Sequence, residues 1–254
     1  MLCSQSEKES NWSHRLDQTH SWINRHGEPD INNPTIEYVD IRFDPTCNLK
    51  CKTCNPGSST LWQKEKGVKF TINQENYKDL AKVNKKQLKK VYMAGGEPTY
   101  ISLYYIFLNE LKDVNPDCEV IINTNLKRLP DPWKNIMKSF KNFTVICSCD
   151  AIHELGSYVR YPLGWDQFEE NVKFASTHAN FFTFNMVCSN LTVHKIFETC
   201  SWMKQYSKNI SLEILDKPEI FSEASVPMHE RQKYILELKK LRKFPIGMYS
   251  AGKF

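Results

Sequence analysis

Three thiols, those of Cys47, Cys51 and Cys54, fall within eight residues of one another in the run Phe43-Asp44-Pro45-Thr46-Cys47-Asn48-Leu49-Lys50-Cys51-Lys52-Thr53-Cys54-Asn55-Pro56. Their spacing is C-x3-C-x2-C. A structural zinc takes four ligands, as two C-x2-C pairs or with histidine. Here Cys51 and Cys54 have no second pair at a usual spacing and no histidine lies near. A cubane iron–sulfur cluster has four iron corners, so three thiolates leave one iron without a protein ligand. An open corner adds nothing to a fold, but it can bind a substrate, as the open position of a catalytic zinc does. The spacing points to iron–sulfur chemistry, with zinc as the weaker reading.

The remaining six cysteines, Cys3, Cys118, Cys147, Cys149, Cys188 and Cys200, are scattered. Met1–Ser10 is polar and lacks the apolar core of a secretory signal, and no stretch approaches the roughly 18–20 apolar residues of a membrane span. A cytoplasmic chain is expected, with reduced thiols rather than disulfides. The net charge of +5 on 254 residues is mild. Lys82–Lys90 and Lys233–Lys243 read as solvated helix faces before they read as nucleic-acid patches.

Other candidate residues follow apolar, β-branched runs. Met93-Ala94-Gly95-Gly96-Glu97-Pro98 places two glycines, which let backbone approach a ligand closely, before a carboxylate that can accept from an ammonium. Asn123-Thr124-Asn125 ends another run. In Phe143–Asp150 a period of two puts Thr144, Ile146, Ser148 and Asp150 on one face and Phe143, Val145, Cys147 and Cys149 on the other. Cys147 and Cys149 then read as small buried hydrophobes, against the rival reading of a second cluster.

The elements that must position these residues alternate. Strands are expected at Ile36–Phe43, Leu88–Met93, Glu119–Asn123, Phe143–Cys149, Phe181–Cys188 and Ile210–Leu215. Helices are expected at Ser58–Lys66 with Asn73–Val83, Ser102–Val114, Asp131–Ser139, Trp165–His178, Val193–Tyr206 and Pro227–Leu241. Parallel strands need such crossovers, and six units suit an α/β fold in the form of a partial (β/α)6 barrel with its site at the C-terminal strand ends. The expected division is a polar lead-in at 1–32, the barrel at 33–215 and a helical C-terminal extension at 216–254.

The cysteine loop after the first strand, with Gly-Gly-Glu-Pro after the second, resembles the radical SAM superfamily. That resemblance implies a [4Fe-4S] cluster on Cys47, Cys51 and Cys54, with S-adenosylmethionine chelating the open iron. The reduced cluster breaks a carbon–sulfur bond, and a 5′-deoxyadenosyl radical takes hydrogen from a substrate. It also implies cofactor contacts from Gly95, Gly96, Glu97 and Pro98 to the methionine ammonium, and from Asn125. Ser148 and Asp150 are implied on the ribose side, and Arg160, in Ser157-Tyr158-Val159-Arg160-Tyr161-Pro162, on the carboxylate. Asn185 is a candidate cavity residue.

Thr53 stands where many members carry an aromatic residue. Asn33-Pro34-Thr35, Asp40-Ile41-Arg42-Phe43 and Arg160-Tyr161-Pro162 make twitch or SPASM-type members the nearest in look. Those usually carry further cysteines for an auxiliary cluster, whereas here Ser6 stands where a partner of Cys3 could be and none follows Cys200. That argues against an auxiliary cluster and for a shortened relative. The implied partners are an electron donor of flavodoxin or ferredoxin type and an unidentified substrate, a peptide, nucleotide, sugar or other metabolite, with no membrane and no clear nucleic-acid signal. Two alternatives stand beside this reading: a non-catalytic iron–sulfur or zinc protein that kept the fold, and an activase of a glycyl-radical partner.

Overall fold

In the computed structural model, residues 7–8, 12–70 and 79–241 are described. They fall into two compact units, Met1–Glu37 and Tyr38–Phe254. Within the first, helix α1 (His14–His26) starts at Ser13, whose hydroxyl accepts from the Leu16 amide at 3.1 Å, and stops at Gly27 with φ 81°. Leu16, Trp22 and Ile23 are its apolar residues amid polar ones, and from sequence the segment reads as a polar lead-in.

The second unit is built on a six-stranded parallel sheet in the order β1-β2-β3-β4-β5-β6. The strands are β1 (Tyr38–Ile41), β2 (Lys90–Met93), β3 (Glu119–Thr124), β4 (Asn142–Ser148), β5 (Phe181–Cys188) and β6 (Ile210–Ile214). Each pairs in register with the next, for example Tyr92 with Ile121 and Ser148 with Asn185. Among the described residues the strand order equals the chain order and no pair closes the sheet, as in an open partial barrel. Every expected strand forms. β1 is shorter than its apolar run because the chain beyond Ile41 is held by a side chain rather than a ladder: the Phe43 amide donates to the Tyr104 hydroxyl at 3.0 Å.

Helices α2 (Thr60–Lys66), α3 (Ser102–Val114), α4 (Asp131–Ser139), α5 (His153–Val159), α6 (Trp165–His178), α7 (Ile196–Met203) and α8 (Met228–Leu241) make the crossovers and the C-terminal element. The expected helix over 73–83 lies partly outside the described residues. The expected helix over 193–206 opens instead with a 3-10 turn at Val193–Lys195. Helix α5 was not anticipated. Its Gly156 is packed so closely that a Cβ there would lie 2.4 Å from the Ala151 carbonyl oxygen.

Burial alternates along the strands. On β4, Phe143, Val145 and Cys147 are buried, while Thr144, Ile146 and Ser148 are half-exposed. The buried set joins a core with Tyr104 and Leu108 of α3, Ile136 of α4, Phe168 of α6 and Ile196 of α7. At ~25 cal/mol per Å² of apolar surface, this face carries the sheet's stabilisation. The other face carries Tyr92, Asn123, Ser148, Asn185 and Ser211, a polar lining rather than a second core. Among the described residues no helix is long and apolar enough to cross a membrane.

Candidate functional site

The cysteine loop leaves β1 and is fixed on every side. Asp44 accepts from the Thr46 amide at 2.6 Å, closing a tight turn. Leu49 is a buried anchor, 1% exposed, and its carbonyl accepts from Ser59 at 2.6 Å. Trp62 of α2 donates its indole N–H to the Cys51 carbonyl at 2.9 Å, and Gln63 donates to Pro56 at 2.8 Å. Backbone polar groups that would otherwise be orphaned in a loop are thus satisfied one by one.

Two further segments clamp it. On one side the amides of Lys50 and Lys52 donate to the Tyr161 and Val159 carbonyls, each at 2.7 Å, so the loop is zipped to the end of α5. On the other, the Glu97 amide donates to the Thr46 carbonyl at 2.8 Å. Gly96 adopts φ 53°, and a Cβ there would sit 2.3 Å from the Thr46 oxygen. A side chain at this position and a cysteine loop in this place are incompatible. Tyr104, which the sequence reading missed, ties the two loop roots together: it receives the Phe43 amide and donates to the Ala94 carbonyl at the end of β2. Its signal in sequence is no stronger than that of any aromatic on a helix.

Cys47, Cys51 and Cys54 are all part-buried and carry no disulfide. Burial pushes the Cys47 thiol up to about 12 and that of Cys51 to about 11, and it raises Cys54 also. Burial raises the core thiols Cys118, Cys149 and Cys200 as well, so what sets these three apart is their grouping on one loop. Among the described residues no three His, Cys, Asp or Glu side chains converge on a point as around a single ion. Hydrogen bonds already reach one sulfur: the Leu49 amide lies 3.4 Å and the Asn125 amide nitrogen 3.8 Å from Cys47 Sγ.

Glu97 does not reach toward the open side. It is 1% exposed and every near donor belongs to the protein. Oε1 accepts from the Thr99 amide at 3.1 Å, the Thr99 hydroxyl at 2.7 Å and the Thr124 hydroxyl at 2.5 Å. Oε2 accepts from the Asn125 amide at 2.7 Å. Burial raises its pKa, and those hydrogen bonds work against the rise. The carboxylate therefore joins the end of β2 to the end of β3. Pro98 opens the 3-10 turn that Glu97 caps.

Asn125 in turn donates to Asn48 at 2.8 Å within the cysteine loop and accepts from the Lys127 amide at 2.9 Å. The chain then turns through Leu126, a buried residue at φ 47°, in the left-handed region that disfavours a side chain.

Ser148 donates to Asn123 at 3.1 Å, and Asn123 lies 3.4 Å from the Tyr92 hydroxyl, a polar row across β4, β3 and β2. Asp150 is 4% exposed. One of its oxygens accepts from the β5 amide of Val187 at 3.0 Å and the other from Arg160 at 2.8 Å. Burial alone would depress the Arg160 pKa, but Cys51, once ionised, and the Asp150 carboxylate hold it above its ordinary value. Its Nε is buried and meets no acceptor. An orphaned guanidinium N–H costs free energy, and an anionic ligand would remove that cost. Asn185 lies on the same polar face beside Ser148. Cys147 and Cys149, 0% and 1% exposed, lie in the core on the helix side of the sheet.

The family model described as "Radical SAM superfamily" matches residues 41–203, well over half the chain. This protein belongs to the radical SAM superfamily. Membership implies a [4Fe-4S] cluster and S-adenosylmethionine as cofactors. Three neighbouring thiols on a buried loop and the unpartnered N–H of Arg160 suit them. The fold is shared with Streptococcus suis SuiB bound to S-adenosylmethionine, at TM-score 0.57 and 16% identity, covering 94% of this chain and 55% of that one. It is shared also with anSMEcpe with bound AdoMet, at TM-score 0.59 and 16% identity, covering 82% of this chain and 60% of that one. The chain therefore spans little more than half the length of these two proteins. No curated protein matches it in sequence.

Proposed function

We propose that this radical SAM protein is an enzyme that cleaves S-adenosylmethionine, with Cys47, Cys51 and Cys54 as the cluster ligands. When bound and reduced, the cluster supplies an electron that splits the sulfonium and yields a 5′-deoxyadenosyl radical able to take hydrogen from a substrate. The observation that carries the reading is the cysteine loop clamped between the Gly95-Gly96 turn and the Arg160 segment. Arg160, with one buried N–H unmet, takes the methionine carboxylate. Asp150 holds Arg160 in place rather than meeting the ribose, and Ser148 is the ribose contact from β4. Because Glu97 is consumed by internal donors, backbone carbonyls of the Gly95–Gly96 turn accept from the ammonium.

The substrate is proposed to be a peptide. A structure of SuiB bound to its precursor peptide SuiA shares the fold at TM-score 0.55, and the polar face from Tyr92 to Ser211 is suited to hydrogen-bonding a backbone. The look of the Asn33-Pro34-Thr35 and Arg160-Tyr161-Pro162 segments supports a twitch-type relative. The electron donor is of flavodoxin or ferredoxin type, and a cytoplasmic site of action suits free thiols.

The test is anaerobic reconstitution. Wild type should be brown and bind about four irons, and titration with S-adenosylmethionine should shift the reduced cluster's paramagnetic resonance while 5′-deoxyadenosine accumulates. Replacing the three cysteines together by alanine should abolish the iron. A colourless protein holding one tight zinc, or no spectral shift at saturating cofactor, overturns the reading.

A further inference from the structure

The charge of this chain is not spread evenly. Between residues 50 and 69, Lys50, Lys52, Lys64, Lys66 and Lys69 face the single acid Glu65, so this stretch holds four of the chain's net charge of +5. It is the stretch that contains the cysteine loop and α2. Lys50 pairs with Glu65. Among the described residues no carboxylate pairs with Lys52, Lys64, Lys66 or Lys69. Glu65 also acts through space on Lys66 and Lys52, so one acid is shared by three cations and leaves their face positive.

The lysines are also held in place. Lys52 Nζ lies 4.9 Å from the centre of the Tyr158 ring, Lys50 Nζ 5.6 Å from that of Tyr161, and Lys66 Nζ 5.7 Å from that of Trp62. Tyr158 and Tyr161 are 54% and 52% exposed, as are the apolar Val68 and Phe70 at 43% and 52%. Exposed aromatic and apolar groups rimmed by preorganised cations have the make-up of a protein-docking surface for an acidic partner.

Its position says which partner. Lys50 and Lys52 flank Cys51, and the tyrosines come from the segment hydrogen-bonded to that loop. We propose that this lysine–tyrosine face docks an acidic one-electron carrier protein, which delivers its electron to the cluster through the cysteine loop. The inference rests on the cluster assignment above. In the step, the reduced carrier loses one electron, the oxidised cluster gains it, and no bond forms or breaks. Tunnelling slows steeply with distance, so a carrier must dock where the cluster comes nearest the surface.

The test uses the reconstituted full chain and a reduced acidic two-iron ferredoxin, with rapid-mixing absorbance following cluster reduction. A small neutral reductant, photoreduced deazaflavin, serves as the control, and iron is counted first. If wild type holds no cluster, the functional reading itself fails and this one falls with it. With a cluster, the ferredoxin rate for wild type should drop as salt is added. Lys52→Glu/Lys66→Glu should slow it by about tenfold or more and flatten the salt dependence, with deazaflavin reduction unchanged. The Lys→Gln set at the same positions, which avoids new charge, should fall between. Equal ferredoxin rates in all three proteins, or a wild-type rate indifferent to salt, overturn the proposal. So does a variant that loses RNA or acidic-peptide binding while keeping its ferredoxin rate, because the face then serves that ligand.

Discussion

At the scale of single residues, Glu97 changes most between sequence and structure. A glutamate after two glycines reads as a free acceptor for an ammonium, yet four donors from Thr99, Thr124 and Asn125 surround it. Glu97→Ala leaves those donors buried without partners, which should cost about 2–3 kcal/mol and lower the melting temperature by roughly 5–10 °C. Calorimetry of the metal-free protein checks this. An unchanged melting temperature with S-adenosylmethionine affinity alone reduced would return the carboxylate to the ammonium. Asn125 makes a second residue-scale expectation, because its amide reaches Cys47 Sγ and Asn48 at once. Hydrogen bonds to a ligating sulfur stabilise the reduced cluster. Asn125→Ala should move the midpoint potential negative by about 59 mV, a tenfold change in the reduced fraction of a one-electron couple. A redox titration followed by paramagnetic resonance measures it, with iron content confirming that the cluster is still present.

At the scale of elements, the site is a meeting of loops from β1, β2, β3 and the end of α5, and each contact is short-range and directional. Gly96 shows how little tolerance this leaves. Gly96→Ala drives a Cβ to 2.3 Å from the Thr46 oxygen and must displace the cysteine loop or the turn. Gly67→Ala, at φ 63° with open space around it, should cost only ~1 kcal/mol of backbone strain. Both proteins should fold, but reconstitution should load full iron into the Gly67 variant and well under half into the Gly96 variant. Equal iron in the two would show that the turn does not brace the loop. The strands themselves were legible, since β-branched alternation over short runs is a local property. Helix α5 was not, because seven residues containing a glycine carry no helical period of their own. It forms because Gly156 can pack on Ala151 and because its end is hydrogen-bonded to the cysteine loop.

At the scale of the molecule, β4 turns its core residues to one side and its polar residues to the other, and the cysteine loop packs on the core through Leu49, Cys47 and Cys51. Phe143, Val145 and Cys147 stabilise the fold, while Thr144, Ile146 and Ser148 line the open side. Removal of the iron should therefore leave the sheet standing. Chelation under anaerobic conditions should keep the far-ultraviolet circular dichroism of the reconstituted protein and a cooperative melt. The melting temperature should fall only by the linkage of the cluster to the loop that binds it. A metal-free protein that loses its secondary structure would show that the cluster is part of the core.

The sequence by itself determined the family and the six strands of the parallel sheet, and it supplied the proposed ligand set of Cys47, Cys51 and Cys54, since each depends on residue type and on spacing within a few positions. The polar face of β4 was equally readable, because a period of two needs no partner strand to be seen. What Glu97, Asp150 and Tyr104 bond to was decided only by the tertiary structure. Their partners stand 28 residues away for Glu97 and Asn125, 37 for Asp150 and Val187, and 61 for Tyr104 and Phe43. A buried polar group takes whatever donor the fold brings within 3 Å, and no local pattern records which one that is.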